Sequence, residues 1–508
     1  MDLVYYLSIS FSILLVLKLF FKQNQNLPPT PPALPILGHI HLLKIPLYRS
    51  LQALSAKYGP ILFLKLGFQN VLLVSSPSFV EESFINNDVV FANRPHCLVG
   101  EYIGYDYTAV NWAPYGKHWR NLRRVTATEI FSSNSLSVSS NIRNQEVKAM
   151  INQLFRKSFT KDGNEYHKLN LNLLFFEVTF NMMMRMVNGS LCFREEMDIE
   201  EKKKLRELLK ELFLPMMPMG MDDFFPFLKW LGVSRSEKKL TTLKRRRDEF
   251  LQTVIEEQRE MGNKSSSTSG KTVVGALLSL QEAEPDYYTD KTIRGVVGVM
   301  FTAGTDTSSL TLEWAMSLLL NHPEVAKRAR EEINTQVEHG RLLDESDLQN
   351  LPYLHCIINE TLRLYPPGPL LVPRVSSEDC NVAGYEIPRG TILLVNAYYV
   401  QRDSKVWVDP NCFKPERFEG KEAEKGFKYL PFGLGRRVCP GVALAVRVMC
   451  LLLGTLIQCF EWERIGEEEV DMTEPSDSVG ITMPRIQPLE AMYKPRLTML
   501  NYLSTLST

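Results

Sequence analysis

Apolar residues come first and nearly without interruption: from Leu3 to Phe21 the chain is almost wholly hydrophobic, with Lys18 its only charge. As a helix that run would reach roughly 28 Å, close to the thickness of a bilayer's hydrocarbon core. The pattern predicts a transmembrane anchor over residues 1–22. A secretory signal peptide competes, but the run is long and lacks a small-residue cleavage site. Asp2 lies on one side and Lys18 and Lys22 on the other, so the positive-inside rule leaves everything after Lys22 in the cytosol. Prolines follow, in Leu27-Pro28-Pro29-Thr30-Pro31-Pro32-Ala33-Leu34-Pro35 with Gly38 just beyond. Fixed φ angles make 23–38 a semi-rigid extended link, and directly after a membrane span that reading is better than an SH3-type ligand.

From residue 39 the spacing becomes that of a globular body. Ile61–Leu66 and Val71–Val74, separated by Gly67-Phe68-Gln69-Asn70, read as a strand hairpin. Helical periodicity dominates from about Asn111 to Ala329. It includes two charged amphipathic pieces, Glu195–Leu212 and Glu237–Met261, and a long apolar one, Val296–Leu320. Gly262–Lys271 is serine-rich and reads as a loop; another apolar helix is predicted over Val442–Leu456. The fold class is therefore mostly α with a small β region, an α+β body over 39–508.

Charge changes this picture little. The 58 Lys and Arg balance 58 Asp and Glu, and 44% of the residues are apolar, an ordinary folded composition with no global attraction for nucleic acid. The run Lys244-Arg245-Arg246-Arg247 sits inside helical spacing and reads as a solvated helix face. Ser269-Gly270-Lys271-Thr272 resembles the end of a phosphate loop, but Ser265 stands where its first glycine belongs, which rejects it. None of the eight cysteines forms C-x-x-C, so zinc-ribbon and thioredoxin-like readings fall away, and reduced thiols suit a cytosolic body.

One cysteine carries chemistry. Phe432-Gly433-Leu434-Gly435-Arg436-Arg437-Val438-Cys439-Pro440-Gly441 runs directly into the apolar helix. A thiol just before a helix N-terminus meets the positive end of the macrodipole and free amides, which favour a thiolate. Glycines admit a flat partner, and Arg437 offers a fixed positive charge. The set suits an axial thiolate ligand of haem iron with an arginine near a propionate. Five fixed positions of F-x-x-G-x-R-x-C-x-G should occur by chance on the order of 10⁻⁴ times in a chain this long. With Glu360-Thr361-Leu362-Arg363, Pro415-Glu416-Arg417-Phe418 and this loop in that order, the chain resembles the cytochrome P-450 family of haem-thiolate monooxygenases. Glu256-Glu257-Gln258-Arg259 also fits E-x-x-R, so order rather than the single motif carries the resemblance.

The resemblance extends from the proline link to about Arg496. It is closest to the plant microsomal A-type branch, in the family numbered eighty-one, through Phe413–Phe418 and Ser376–Cys380. It implies haem b, iron protoporphyrin IX, on Cys439, with Phe432 and Gly441 in the ligand loop. Trp119, Arg123, Arg374 and Arg437 would address the propionates. Glu360, Arg363 and Arg417 would form a structural brace. Ala303-Gly304-Thr305-Asp306-Thr307 are poor helix formers inside a helical stretch. By resemblance Ala303 lies over the distal haem face, Thr307 beside bound oxygen, and Asp306 relays protons through water. The implied substrate pocket draws on Cys97–Tyr107, Phe213–Leu228 (with Met216, Met217, Met219 and Met221), the surroundings of Met300, Leu370–Val372 and Val479–Thr482.

The implied activity is insertion of one atom of O2 into a small apolar substrate, an aromatic plant specialised metabolite of the flavonoid, lignan or alkaloid kind. No G-x-G-x-x-G follows a strand, so electrons would come from NADPH through a separate NADPH-cytochrome P-450 reductase. Arg120, Arg124, Arg436 and Arg447 are candidates for steering that partner. The expected location is the endoplasmic reticulum membrane, single-pass. Oxidative coupling or methylenedioxy-bridge formation uses the same haem chemistry and stays open, as does a membrane haem protein without turnover. An oxygen-independent isomerase would lack the Asp306–Thr307 pair.

Overall fold

The computed structural model describes residues 26–158, 165–213, 219–230, 235–264, 272–338, 340–420, 422–424, 426–475 and 480–507, with Tyr6 and Ser10. Apart from Tyr6 and Ser10, the anchor predicted over 1–22 lies outside the described residues, as do the core of the serine-rich loop, Met216, Met217 and Val479. In chain order the elements that position the site begin with β1 (Ile61–Leu66), β2 (Gln69–Val74), α1 (Lys117–Val125), β3 (His167–Asn170) and α2 (Leu171–Asn188). Next come α3 (Ile199–Phe213), α4 (Arg235–Lys264), α5 (Asp290–Gly304), α6 (Asp306–Asn321) and α7 (Pro352–Leu364). Strands β4 (Arg374–Val375), β5 (Cys380–Val382), β6 (Tyr385–Ile387) and β7 (Ile392–Val395) precede α8 (Val442–Cys459), β8 (Phe460–Glu463) and β9 (Glu490–Pro495).

The hairpin turns more tightly than its sequence suggests. Gln69 and Asn70 join β2, leaving Gly67-Phe68 as a two-residue turn with Gly67 at φ +57°. Two-residue turns match the right-handed strand twist when a glycine supplies positive φ. β2 then pairs in parallel with β7 (Val71 opposite Ile392) and β7 pairs antiparallel with β4, giving the order β1-β2-β7-β4. Burial on both faces explains the apolar runs Ile61–Leu64 in β1 and Ile392–Val395 in β7. A second sheet, β3-β9-β8, ties residues near 167 to the C-terminal region.

Helices form the rest. The stretch predicted as one helix over Val296–Leu320 is two, α5 and α6, broken at Thr305 with φ −90° and ψ −66°. α6 is buried almost from end to end and packs on α2, α7 and α8, and Trp314 stacks on Tyr365 with centroids 4.0 Å apart. Each large apolar side chain buried there contributes about 1.5–3 kcal/mol. α2 is equally enclosed; Asn170 caps its start by accepting from Leu173 N–H at 2.9 Å, and Gly189 at φ +84° ends it. α8 is long and apolar enough to cross a membrane, yet most of it is buried inside the body, so it is a core helix.

Candidate active site

The loop Phe432–Gly441 is held by its own backbone: Cys439 N–H donates to Phe432 O at 3.0 Å and Val438 N–H to Gly435 O at 3.0 Å. Gly435 has φ +63°, and a Cβ there would stand 2.2 Å from Asp88 Oδ1. Only glycine lets the loop approach that carboxylate. Asp88 in turn accepts from Arg436 N–H and pairs with Arg374 at 3.4 Å. Gly441 caps α8, and Cys439 stands two residues before it, half-buried. Burial pushes the thiol's pKa up, opposed by the Gly441 N–H and the Arg123 charge. Desolvation thus works against the helix terminus at this sulfur, and a cation bound there would favour the thiolate.

Around this loop cations gather. Arg437 donates to the carbonyls of Ala92 (2.7 Å), Val110 (3.3 Å) and Ala113, and lies over the Trp119 ring at 4.6 Å. Arg374 donates to Leu434 O. Arg94, which the sequence reading passed over, donates to Asn111 O (3.0 Å), Val372 O (2.9 Å) and Pro373 O (2.7 Å). Neither Trp119's indole N–H nor the Arg123 guanidinium has a hydrogen-bond partner among the described residues, although α1 holds both toward the interior. Burial lowers these guanidinium pKa values: Arg437 to about 9 and Arg94 well below the usual range, both with added repulsion from neighbouring arginines, and Arg374 to about 10 against the pull of Asp88. Asp88 is the only carboxylate paired with the four among the described residues. Four guanidiniums, one carboxylate and two open donors make a site short of negative charge, and a flat doubly carboxylated porphyrin fits it.

Opposite chemistry belongs to the α5–α6 junction. Ala303 is exposed although Phe301 before it and Thr305 after it are buried, which marks an opening inside the fold. Thr307 borders the same opening, half-exposed, and its hydroxyl donates to Ala303 O at 2.6 Å. Gly304 is needed for packing, since a Cβ there would lie 2.8 Å from Met183 Sδ on α2. Asp306 turns elsewhere: it is 5% exposed and accepts from Thr482 Oγ1 at 3.1 Å. Burial raises its pKa against the pull of Lys210, Thr482 and Arg206. Beside it lies a cavity of about 10 Å³ lined by Phe176, Phe180, Lys210, Phe301 and Thr305, the volume of one water. Thr305 Oγ1, buried and without a protein partner among the described residues, is a ready ligand for that water.

Glu360, Arg363 and Arg417 meet in one network. Arg363 grips Glu360 through two bonds of 2.7 and 2.8 Å, both side chains fully buried, and Arg417 Nε adds a third at 3.2 Å. Arg363 also holds the carbonyls of Gln401, Pro410 and Cys412. Gln401 carries the connection onward by accepting Leu430 N–H at 2.7 Å, two residues before Phe432.

Two other expectations change. Of the basic run read as a solvated face, Arg247 is buried while Arg245 is exposed. Arg120, Arg124 and Arg436 are exposed, but Arg447 is tied to Glu345 at 2.8 Å. Arg94 left a weak signal: a cation set among Phe91, Ala92 and Pro95 has little reason to stay unless it is used. Lys210 left none beyond its place beside the inward-facing Leu209 and Phe213 of α3.

Comparison with known proteins is decisive. The family model described as Cytochrome P450 matches residues 28–489. "Cytochrome P450 81Q32" of Catharanthus roseus is 50% identical over 94% of this chain and 94% of its own. "(+)-Piperitol/(+)-sesamin synthase CYP81Q2" of Sesamum radiatum is 47% identical over 96% of each, and "Isoflavone 3'-hydroxylase" of Medicago truncatula 45% identical over 97% and 98%. Among solved structures, a zebra fish cytochrome P450 with progesterone superposes with a TM-score of 0.72 at 25% identity, covering 88% of this chain and 99% of that one.

Proposed function

The chain belongs to the cytochrome P450 family, a haem-thiolate monooxygenase akin to the plant members numbered eighty-one, and from that premise we propose that it hydroxylates an aromatic plant secondary metabolite. The observation that carries the reading is the Cys439 loop inside a cradle of four guanidiniums, in a fold whose long distal helix opens at Ala303. Haem bound there supplies reductive activation of dioxygen. Cys439 would hold the iron, while Arg94, Arg123, Arg374 and Arg437 with Trp119 would hold the propionates.

The remaining residues handle protons and water. Asp306 lines the one-water cavity together with Lys210 and accepts from Thr482, which supports a role for it in relaying protons through that water without admitting bulk solvent. Thr307 is its neighbour on the helix, at the opening, where a hydroxyl that now donates to Ala303 O could turn toward the reacting oxygen. Phe180, Phe213 and Phe301, packed within 5.2–6.3 Å of one another, keep the approach apolar. Electrons would come from NADPH through a separate reductase docking near the exposed Arg120, Arg124 and Arg436. Attachment to the cytosolic face of the endoplasmic reticulum is supported by the Leu3–Phe21 run and by exposed Ile36, Leu37, Phe68 and Phe227.

Ring closure to a methylenedioxy bridge is the second reading, favoured by the likeness to the sesamin synthase. The test is reconstitution of the full chain with a reductase and a panel of aromatic metabolites, followed by turnover under ¹⁸O2. A product gaining one labelled oxygen supports hydroxylation; a product that loses two hydrogens and gains no label supports ring closure. Ligands that displace the iron's water yet never stimulate NADPH consumption would make this a binding protein instead.

A further inference from the structure

Arg247 is a poorly paired buried cation. Arg143 and Arg363, likewise enclosed, each grip a glutamate through two short bonds. Arg247 lies on α4, only 5% exposed, with no ion pair to any carboxylate among the described residues. Asp248 beside it is engaged elsewhere, accepting from Tyr105 OH at 2.6 Å. The bonds Arg247 does make are long: Nη2 donates to Thr302 Oγ1 at 3.2 Å and Nη1 to Leu212 O at 3.4 Å. Its Nε has no partner among the described residues. Burial lowers its pKa, with only weak compensation from Tyr105 and Asp248. An enclosed guanidinium so poorly satisfied is costly to the fold.

Its surroundings are aromatic. The guanidinium carbon stands 5.1 Å from the centre of the Phe213 ring, and Phe213, Phe250 and Phe301 form a cluster with centroids 5.2–6.0 Å apart. Gly298 makes room for the head group, since a Cβ there would lie 2.6 Å from Nη2. Thr302, the hydroxyl it touches, is half-exposed and directly precedes Ala303 at the interior opening. A planar two-pronged donor set between an aromatic cluster and Thr302, next to the opening at Ala303, matches an oxygen anion carried on an aromatic ring.

We propose that Arg247 is a specificity-determining residue that pairs with a phenolate or carboxylate of the substrate, so that the enzyme prefers oxygen-bearing aromatics over aromatic hydrocarbons. This rests on the reading that substrate occupies the Ala303 side of α5. In the free protein Thr302 and Leu212 O hold the guanidinium loosely, and a bound oxygen takes over those N–H groups together with Nε–H.

The test uses the full haem-loaded chain and Arg247→Met, titrated with 2-naphthoate, 2-naphthol and 2-methylnaphthalene by difference spectroscopy, with thermal unfolding in parallel. The wild type should bind the two oxygenated ligands more tightly than the hydrocarbon. The variant should weaken them by roughly ten- to a hundred-fold, the worth of a hydrogen bond to a charged group. It should leave 2-methylnaphthalene unchanged and melt no lower than the wild type, because it removes an unpaired buried charge. Loss for naphthoate but not naphthol would select the carboxylate, and the reverse the phenol. Equal loss for all three ligands, or a lower melting temperature without a change in ligand ranking, would overturn the proposal and make Arg247 structural. Absence of the thiolate-type carbon monoxide band in the wild type would instead fail the active-site reading on which it stands.

Discussion

Replacing Arg363 with Met should detach the ligand loop from the body before it touches any chemistry. The substitution removes five donated bonds: two to Glu360, at 2.7 and 2.8 Å, and one each to the carbonyls of Gln401, Pro410 and Cys412. Glu360 is left with Arg417 and the Lys414 N–H as its only partners in the network. Breaking a fully buried ion pair costs about 3–5 kcal/mol. Carbonyls stripped of a donor cost about 1–3 kcal/mol apiece, though all three will not stay dry. The expected loss is therefore at least about 3 kcal/mol, a large share of the roughly 5–15 kcal/mol that holds a folded domain together. Glu360→Gln should cost about 3 kcal/mol, since its amide can still accept from one guanidinium. The double variant should cost less than the sum by about 2–3 kcal/mol, because the two changes break one shared interaction. The assay is urea unfolding of the haem-loaded protein, followed by the carbon monoxide band alongside helicity. A wild-type midpoint for Arg363→Met, or strict additivity in the double variant, would refute the reasoning.

Four shorter expectations follow from the site. Cys439→Ala should abolish the red-shifted carbon monoxide band while helicity survives; persistence of the band would move the ligand elsewhere. Thr307→Ala should keep near-normal ligand spectra and NADPH use but divert electrons to hydrogen peroxide, within the ~10²–10⁴-fold reach of general acid–base groups; unchanged product per NADPH removes Thr307 from proton delivery. For Asp306 burial raises the folded-state pKa, so the ionised form opposes folding at neutral pH and that penalty disappears below the unfolded pKa near ~3.9. Asp306→Asn should accordingly raise the melting temperature at pH 7, with the gain shrinking toward pH 4, while coupling falls; a gain that grows on acidification contradicts the sign. Gly435→Ala forces a Cβ against Asp88 at positive φ, and should speed haem loss without moving the substrate ranking, measured by transfer to an apo-haem acceptor.

What could be read from the sequence is local. The Cys439 loop is legible because its glycines, arginine and thiol are consecutive, and Glu360 and Arg363 because one helical turn sets them side by side. The hairpin β1–β2 is legible for the same reason, to within the two residues that its turn gave up to β2. Arg94 joins the cradle only because the chain near 93 meets the strand near 375, and that meeting is set by distant packing. The break at Thr305 was hidden by apolar spacing that continues through it. Arg247 misled because three neighbouring basic residues share its run; helix α4 turns only the last of them inward.

The order of strands in the first sheet also bears on how the protein is made. β1 and β2 leave the ribosome early, but the parallel partner of β2 is encoded roughly 320 residues later. At about 5–20 residues per second, synthesis leaves the Val71–Val74 edge unpaired for about 15–65 s. In that interval an apolar strand with free N–H and C=O groups faces whatever lies nearby, which makes it a target for holding chaperones and a seed for mispairing. A transcript ending before Ile392 would yield a chain that carries the hairpin, most of the helices and no cure for that edge, and its fate is aggregation or destruction rather than a smaller working enzyme.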